Sequence, residues 1–267
     1  MSLSSLIHRE ITHIAPEATI TDAARMMRDQ KIGSVFIQKG GEFIGIVTDS
    51  DLVRKVFTKA LPLDTPVTEV MSAPIIDIDI EKSVMDANHL MYFNGIRHLA
   101  ISENEKIIGM ISVRDLVKFF LSAVEGPMDK MVDVIKPLTV LTRRIVETID
   151  ASSTAKEAAK KMGENKIGSL MITDNGNYTG IVTEADLVRK VMGYRMNASE
   201  IPVGVIMNTP IVDIDINASV QSATERMEAK GIRHLGVSED GRVIGILSIR
   251  DLIGMIAIRD LPRFVSE

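Results

Sequence analysis

The stretch Gly45–Lys55 reads GIVTDSDLVRK, and the stretch Gly180–Lys190 reads GIVTEADLVRK. Looser copies, GMISVRDLVK from Gly109 and GILSIRDLI from Gly245, bring the number of copies to four. Each copy has a glycine, a Thr or Ser three positions later, and an Asp three positions after that. A motif that recurs in this way indicates a repeat protein, in which each repeat buries its apolar face against a neighbour.

Longer stretches of the chain recur with the motif. MSAPIIDIDI from Met71 returns as MNTPIVDIDI from Met207, and NGIRHLAISENEKIIGMISVRDL from Asn94 returns as KGIRHLGVSEDGRVIGILSIRDL from Lys230, at the same offset. The two halves of the chain are therefore copies, and each half contains the motif twice. We expect four repeats at 7–60, 65–122, 140–195 and 200–258, with a linker at 123–139 that contains Gly126, Pro127 and Pro137.

Each repeat has the same predicted order of elements. PIIDIDI alternates apolar and acidic residues, which is typical of a half-buried strand. TITDAARMMRDQ places Ile20, Ala23, Ala24 and Met27 on one helical face, with Thr19 or Thr21 as the N-cap. Two strands joined by a Gly- or acid-rich turn follow, and the motif then begins a second helix. The order strand, helix, strand, strand, helix predicts an α/β (α+β) fold in which small repeats pair.

Composition excludes several classes of protein. The chain of 267 residues has no Cys and no Trp, so disulfides, thiol catalysis and Cys-ligated metal sites are excluded. The formal net charge is −5, which gives no global positive field for nucleic acid. The N-terminus does not resemble a signal peptide, and no apolar run is long enough to span a bilayer. We expect a cytoplasmic protein with no membrane insertion, no nucleic-acid partner and no metal site.

The motif itself has two interpretations. Ser or Thr followed three residues later by an acid is a capping box, although the longer Glu or Gln reaches back better than Asp. Alternatively, a helix N-terminus with a hydroxyl is suited to phosphate, and an Asp one turn later can accept hydrogen bonds from a ribose diol. A glycine inside the preceding strand costs stability unless something approaches the backbone closely. The two interpretations are compatible, because one residue can cap a helix and contact a ligand.

The fourfold unit that ends in this motif resembles the CBS domain, a family named after cystathionine β-synthase. The resemblance covers essentially the whole chain, and the layout is similar to that of stand-alone prokaryotic CBS proteins and of the γ subunit of AMP-activated protein kinase. It implies two pseudo-twofold CBS-pair modules, arranged as a flat disc within one chain. It also implies binding of an adenosine ligand: AMP, ADP, ATP or S-adenosylmethionine.

The resemblance assigns roles to individual residues. The motif hydroxyls would bind phosphate or ribose oxygens, and the motif carboxylates would hold the ribose diol: Thr48, Ser112, Thr183 and Ser248, and Asp51, Asp115, Asp186 and Asp251. Adenine would lie against Ile32, Gly33 and Ser34 opposite Asp115, and against Ile96, Arg97 and His98 opposite Asp51, with Ile167, Gly168, Ser169, Ile232, Arg233 and His234 as the counterparts in the second half. Arg114 and Arg250 precede the motif Asp and would pair with it or bind phosphate, whereas the other two repeats have Ser50 and Ala185 there. The Arg-His pairs also fit a polar strand entry packed at an interface.

The motifs of common enzymes are absent from the sequence. It contains no Walker-type phosphate loop, no G-x-G-x-x-G that opens a helix and no H-E-x-x-H. We therefore expect a non-enzymatic sensor without a catalytic cofactor, which changes conformation on binding an adenosine nucleotide and acts on a separate, unknown partner. The alternatives are a constitutive interaction scaffold with non-functional clefts and a nucleotide-hydrolysing enzyme. Homodimerisation is left open.

Overall fold

The computed structural model describes residues 2–122, 138–141 and 146–259. These residues form four three-stranded sheets, one in each repeat, together with helices. The mixed α/β fold and the order of elements predicted from the sequence are confirmed. Residues 123–137 of the predicted linker lie outside the described residues.

Repeat one shows how the sequence produces these elements. It consists of strand β1 (His13–Ile14), helix α1 (Ile20–Asp29), strands β2 (Ser34–Lys39) and β3 (Glu42–Thr48), and helix α2, which is made of the pieces Asp49–Asp51, Leu52–Val56 and Phe57–Lys59. Helix α1 buries its predicted apolar face, Ile20, Ala23, Ala24 and Met27. Thr19 caps this helix, because its side chain accepts the N–H of Asp22 while the Asp22 carboxylate accepts the N–H of Thr19.

The other three repeats copy this order. Repeat two has β4 (Asp77–Asp79), α3 (Val84–Asn94), β5 (His98–Glu103), β6 (Lys106–Ser112) and α4 (Val113–Ser122). Repeat three has β7 (Thr148–Asp150), α5 (Ala155–Glu164), β8 (Ser169–Asp174), β9 (Asn177–Thr183) and α6, made of Glu184–Asp186, Leu187–Val191 and Met192–Tyr194. Repeat four has β10 (Asp213–Asp215), α7 (Val220–Lys230), β11 (His234–Glu239), β12 (Arg242–Ser248) and α8 (Ile249–Arg259).

Each sheet places the motif hydroxyl at the end of its last strand. The first strand of a repeat runs parallel to the second, and the second pairs antiparallel with the third. In repeat one Ser34 lies opposite Thr48, and Ile37 lies opposite Gly45, after which a bulge shifts the register. The short first strands are half-buried as predicted, since Ile78 is buried between the exposed Asp77 and Asp79. The chain therefore leaves each sheet at the hydroxyl and enters the last helix directly.

The described chain forms two compact units that join alternate repeats. Unit 1 contains residues 2–10, 76–122, 138–141 and 212–259, and unit 2 contains residues 11–75 and 146–211. The sheets of repeats two and four and the helices α3, α4, α7 and α8 thus lie in unit 1, where α3 packs against α8 and α4 packs against α7. The sheets of repeats one and three and the helices α1, α2, α5 and α6 lie in unit 2, where α1 packs against α6 and α2 packs against α5. In the sequence, repeats one and two form the first half and repeats three and four form the second. The helices, however, pack repeat one against repeat three and repeat two against repeat four.

Each unit has its own apolar core. The core of unit 1 includes Met91, Leu99 and Leu252, and that of unit 2 includes Met27, Ile37 and Leu187. Residues from both repeats contribute to each core, so neither repeat of a unit covers its sheet alone. The mutual arrangement of the two units and the exact repeat boundaries stay predictions.

Candidate ligand-binding site

The hydroxyl and the carboxylate of the motif contact each other. In repeat one the Thr48 Oγ1 donates to Asp51 Oδ2 at 2.6 Å, and the Thr48 N–H donates to the same oxygen at 3.0 Å. The Asp51 N–H donates back to Thr48 Oγ1 at 3.2 Å, which completes a capping box. Thr183 and Asp186 of repeat three make the same three contacts. The shorter Asp side chain therefore reaches the N-cap, and the motif caps the last helix of both repeats.

The motifs of unit 1 have a similar arrangement. In repeat two the N–H and the Oγ of Ser112 both donate to Asp115 Oδ2, each at 2.7 Å. In repeat four the Ser248 N–H donates to Asp251 Oδ2 at 2.8 Å. The motif Thr or Ser thus contacts the motif Asp at the start of a helix in all four repeats, through its hydroxyl in repeats one, two and three and through its backbone N–H in repeat four.

In unit 2 the motif carboxylate has further partners, which sequence reasoning missed. Asp51 Oδ1 lies 2.8 Å from Lys55 Nζ and accepts the Ser72 hydroxyl at 2.7 Å. Lys55 and Ser72 are both visible in repeated stretches, VRK in the motif and M-S/N-x-P after it, and that recurrence is the signal that could have identified them.

Repeat three has the equivalent arrangement. Asp186 Oδ1 lies 2.8 Å from Lys190 Nζ, and Asp186 Oδ2 accepts Asn208 Nδ2 at 2.8 Å. Counting the Thr183 contacts, this carboxylate has four donors, the number that its lone pairs accommodate.

The N-terminal segment supplies the further partner in repeat two. His8 forms an antiparallel bridge with Met110, which places its ring Nε2 3.0 Å from Asp115 Oδ1. The His8 side chain is 61% exposed, whereas that of Asp115 is 21% exposed. This contact is absent from the sequence prediction, because His8 precedes the first repeat motif and no periodic pattern marks it.

A neighbouring extended segment explains the motif glycine in three repeats. A Cβ on Gly45 would lie 2.5 Å from Met71 Sδ, and a Cβ on Gly180 would lie 2.5 Å from Met207 Sδ. At Gly109 the obstacle includes the backbone oxygen of His8, at 2.7 Å. The close approach expected from the sequence is therefore confirmed, and the approaching group is the chain itself.

The residues nominated for adenine lie beside the helix start of their own repeat. The third residue of each nominated triplet lies opposite the Thr or Ser of the motif in the strand register of the hairpin: Ser34 opposite Thr48, His98 opposite Ser112, Ser169 opposite Thr183, and His234 opposite Ser248. The second residue accepts the first helical N–H at its carbonyl oxygen: Gly33 from Asp49, Arg97 from Val113, Gly168 from Glu184, and Arg233 from Ile249. The Ile32 triplet lies in unit 2 and Asp115 lies in unit 1, so their predicted opposition stays a prediction.

Unit 1 contains a cluster of arginines, which we call the four-arginine cluster: Arg97, Arg114, Arg233 and Arg250. Arg114 of repeat two donates to the carbonyl oxygen of Gly231 in repeat four at 2.8 Å, and Arg250 of repeat four donates to that of Gly95 in repeat two at 3.2 Å. Burial, and then repulsion by these four guanidinium groups, lowers the pKa of His98 to about 3. Each of the two repeats of unit 1 thus donates an arginine hydrogen bond to the other, and positive charge lies around the imidazole of His98.

The corresponding region of unit 2 contains buried acids. Glu184, only 1% exposed, accepts the Ser50 hydroxyl at 2.6 Å and the Arg54 Nε at 3.2 Å. Asp49 is fully buried at the same position of repeat one. Neither acid was nominated from the sequence, since each sits inside the motif, where it reads as an ordinary first-turn acid of a helix.

The sequence profile of the CBS domain matches residues 3–58, 67–122, 138–193 and 199–261. The chain belongs to the CBS domain family. An uncharacterised protein of Methanopyrus kandleri is 38% identical over 114 residues, which cover 42% of this chain and 58% of that protein. The CBS domain-containing protein YhcV of Bacillus subtilis is 28% identical over 115 residues, which cover 43% of this chain and 82% of YhcV.

Two solved structures share the fold over almost the whole chain. A Methanocaldococcus jannaschii protein, described as an archaeal homologue of the γ subunit of AMP-activated protein kinase, matches with a TM-score of 0.81 at 18% identity, over 96% of this chain and 100% of that chain. A conserved protein of Pyrococcus horikoshii matches with a TM-score of 0.63 at 20% identity, over the same shares. Among the described helices, none is long and apolar enough to cross a membrane.

Proposed function

We propose that this CBS protein is a regulatory module that binds an adenosine ligand, changes conformation on binding and acts on a separate partner protein. The observation that carries the proposal is the contact of the motif Thr or Ser with the motif carboxylate at the start of the last helix in all four repeats, through the hydroxyl in repeats one to three and through the backbone N–H in repeat four. CBS domains are typically regulatory modules that bind adenosine ligands, so family membership supports the same conclusion.

The chemistry of these residues suits an adenosine ligand. A carboxylate accepts hydrogen bonds from both hydroxyls of a ribose, and a helix N-terminus with a Thr or Ser hydroxyl favours phosphate oxygens. The nominated residues before the middle strands lie next to each hydroxyl, where they offer backbone and apolar surface to a base. Because the hydroxyls of Thr48, Ser112 and Thr183 already donate to their carboxylates, binding involves an exchange of partners at these motifs.

This exchange suggests how binding could alter the protein. A ligand that binds one arrangement of the motif more tightly than the other increases the population of the first arrangement. The size of this shift is set by the difference between its affinities for the two arrangements. In repeat one Lys55 contacts both the motif carboxylate of Asp51 and the backbone oxygens of Val70 and Met71, so a change at Asp51 would reach the first residues of repeat two. The surface shown to a partner would change with the position of such segments.

Titration calorimetry with AMP, ADP, ATP and S-adenosylmethionine tests the proposal. We expect at least one of these compounds to bind with a Kd well below 1 mM, that is, with more than about 4 kcal/mol of binding free energy. Mass spectrometry of small molecules released from the denatured protein identifies a co-purified ligand. Failure of all four compounds to bind would favour the interaction scaffold, and turnover of ATP in a parallel assay would favour an enzyme.

A further inference from the structure

The motif carboxylate of repeat one already has a full set of donors. Asp51 Oδ2 accepts the N–H and the hydroxyl of Thr48. Asp51 Oδ1 lies 2.8 Å from Lys55 Nζ and accepts the Ser72 hydroxyl at 2.7 Å. These four donors match the number that the lone pairs of a carboxylate accommodate, and the Asp51 side chain is only 12% exposed. A ribose diol therefore reaches Asp51 only by displacing a donor that is already present.

The lysine in this set is itself held in place. Lys55 Nζ donates to the carbonyl oxygens of Val70 and Met71, at 2.9 Å and 3.0 Å. Together with Asp51 Oδ1, these oxygens provide an acceptor for each of the three protons of the ammonium group. Because this ammonium group is partly buried, separating it from its carboxylate leaves a cation without its counter-ion, which is unfavourable.

Repeat three builds the same arrangement from a different segment of the chain. Asp186 Oδ1 lies 2.8 Å from Lys190 Nζ, and Asp186 Oδ2 accepts Asn208 Nδ2 at 2.8 Å. Lys190 Nζ also donates to the carbonyl oxygen of Ile206 at 2.7 Å and to Asn208 Oδ1 at 3.0 Å. The Asp186 side chain is only 10% exposed. Two repeats thus hold the motif carboxylate with a lysine that is anchored elsewhere.

Repeat two has a more open carboxylate. Phe119 replaces the lysine one turn after Asp115. Within the part of the chain that the structure describes, the partners of Asp115 are the N–H and the hydroxyl of Ser112 and the His8 ring at 3.0 Å. The His8 side chain is mostly exposed, so water can replace its contact, and Asp115 is 21% exposed. A ribose that reaches Asp115 therefore displaces only a weakly held donor.

We propose that Lys55 and Lys190 are specificity-determining residues that withhold the motif carboxylates of repeats one and three from a ribose. An adenosine ligand then makes its ribose contact at Asp115 in preference to Asp51 and Asp186. This inference rests on the proposed function and states which of these three motifs recognises the sugar. A ligand in repeat one or three would be held through groups other than its ribose diol.

NMR of the methionine methyl groups can test this order within the full chain, because each repeat has its own reporter. Met71 lies against the motif glycine of repeat one, Met207 lies against that of repeat three, and Met110 pairs with His8 in repeat two. The methyl-labelled protein is titrated with ADP and with 2′-deoxy-ADP. The ratio of the two midpoints at each methyl group, which we call the deoxy penalty, measures the contribution of the 2′-hydroxyl. Both compounds carry the same phosphate groups, so attraction between phosphate and lysine cancels in this ratio.

The three methionines of the wild-type protein should differ in their deoxy penalty. At Met110 we expect a penalty of about fivefold or more, as for a charge-assisted hydrogen bond partly offset by loss of the His8 contact. At Met71 and Met207 we expect a penalty below about twofold, or no shift with either compound.

Removal of a lysine should transfer the penalty to its repeat. Lys55→Leu, which adds no methionine signal, should raise the deoxy penalty at Met71 to about fivefold and leave the other two penalties unchanged. A merely structural lysine would give a variant that binds both compounds more weakly, with the same ratio. The matched control is Lys160→Leu, whose ion pair is long and exposed, and it should change no penalty. If Lys55→Leu fails to fold, Lys190→Leu with Met207 as its reporter makes the same comparison.

The results that contradict the inference differ from those that contradict the proposed function. Equal deoxy penalties at the three methionines, or a larger penalty at Met71 or Met207 than at Met110, would overturn the inference while ADP binding upholds the proposed function. An unchanged penalty at Met71 in folded Lys55→Leu would likewise show that the lysine does not control access to Asp51. If ADP, AMP, ATP and S-adenosylmethionine shift no methyl group in wild type or variant, the inference fails together with the proposed function.

Discussion

The ammonium group of Lys55 lies 2.8 Å from Oδ1 of Asp51, one helical turn earlier, and donates to the carbonyl oxygens of Val70 and Met71. Lys190 makes the equivalent contacts with Asp186 and with the carbonyl oxygen of Ile206. In repeats two and four the residue one turn after the motif Asp is Phe119 or Met255. The lysine therefore links the motif Asp to the backbone of the segment that follows the last helix. This link is found in repeats one and three, whereas repeats two and four have no lysine at that position.

Replacement of Lys55 by Met should destabilise the protein by about 1–3 kcal/mol, because several partly buried acceptors lose their donor. The matched control is Lys160→Met, whose ion pair with Glu164 is long, at 3.8 Å, and exposed on the helix surface. That control should change the free energy of unfolding by less than about 0.5 kcal/mol. Urea unfolding of both variants measures the difference, and similar effects in the two would mean that the Lys55 contacts add no stability.

Gly109→Ala should detach the N-terminal segment from β6. The added Cβ would meet the backbone oxygen of His8 at 2.7 Å and the side chain of Ile7, and a backbone atom cannot move aside without breaking the bridge to Met110. We expect a loss of about 1–3 kcal/mol and faster amide exchange at residues 7–10.

Gly163→Ala is the control for Gly109→Ala, because it adds the same methyl group at an uncrowded position. A Cβ on Gly163 would lie 3.5 Å from Thr58 Oγ1, which is an ordinary contact, and Gly163 lies within helix α5. This variant should be more stable than wild type by about 0.5–1 kcal/mol. If Gly109→Ala were equally well tolerated, the close packing of the N-terminal segment against β6 would be wrong.

The sequence was sufficient for the repeat, the order of elements and the apolar faces, since these depend on periodicity within about 60 residues. The face of α1 and the cap at Thr19 illustrate this, because both depend on residues only a few positions apart. The contacts of Lys55 with Ser72, of His8 with Asp115 and of Arg114 with Gly231 could not be predicted in this way. They join residues distant in sequence, and the packing of alternate repeats determines the last of them.

His8→Ala should strengthen binding of an adenosine nucleotide at repeat two. The substitution leaves Asp115 Oδ1 without the ring donor at 3.0 Å, so a ribose hydroxyl no longer competes with His8. The contact is exposed, so we expect a gain of only about twofold to fivefold in ADP affinity. His13→Ala is the control, because His13 contacts the backbone oxygen of Ile11 in unit 2. Weaker binding in His8→Ala would instead show that the histidine contacts the ligand.

Mild acid should destabilise the protein through His98. Burial and the four-arginine cluster lower the pKa of this imidazole in the folded protein to about 3, from its ordinary value of 6.5. Below pH 6.5 the unfolded chain binds a proton that the folded protein does not, so this contribution to stability falls as the pH falls from 6.5 toward 3. Between pH 6.5 and pH 5 the loss should be about 1–2 kcal/mol.

Urea unfolding of wild type and His98→Leu across this pH range measures the contribution, and the variant should show the smaller decline. An NMR titration of the His98 ring provides the direct test, since the ring should remain neutral well below pH 6.5. A ring that titrates with the ordinary histidine pKa would show that it is solvated and that the four guanidinium charges lie too far from it to lower its pKa.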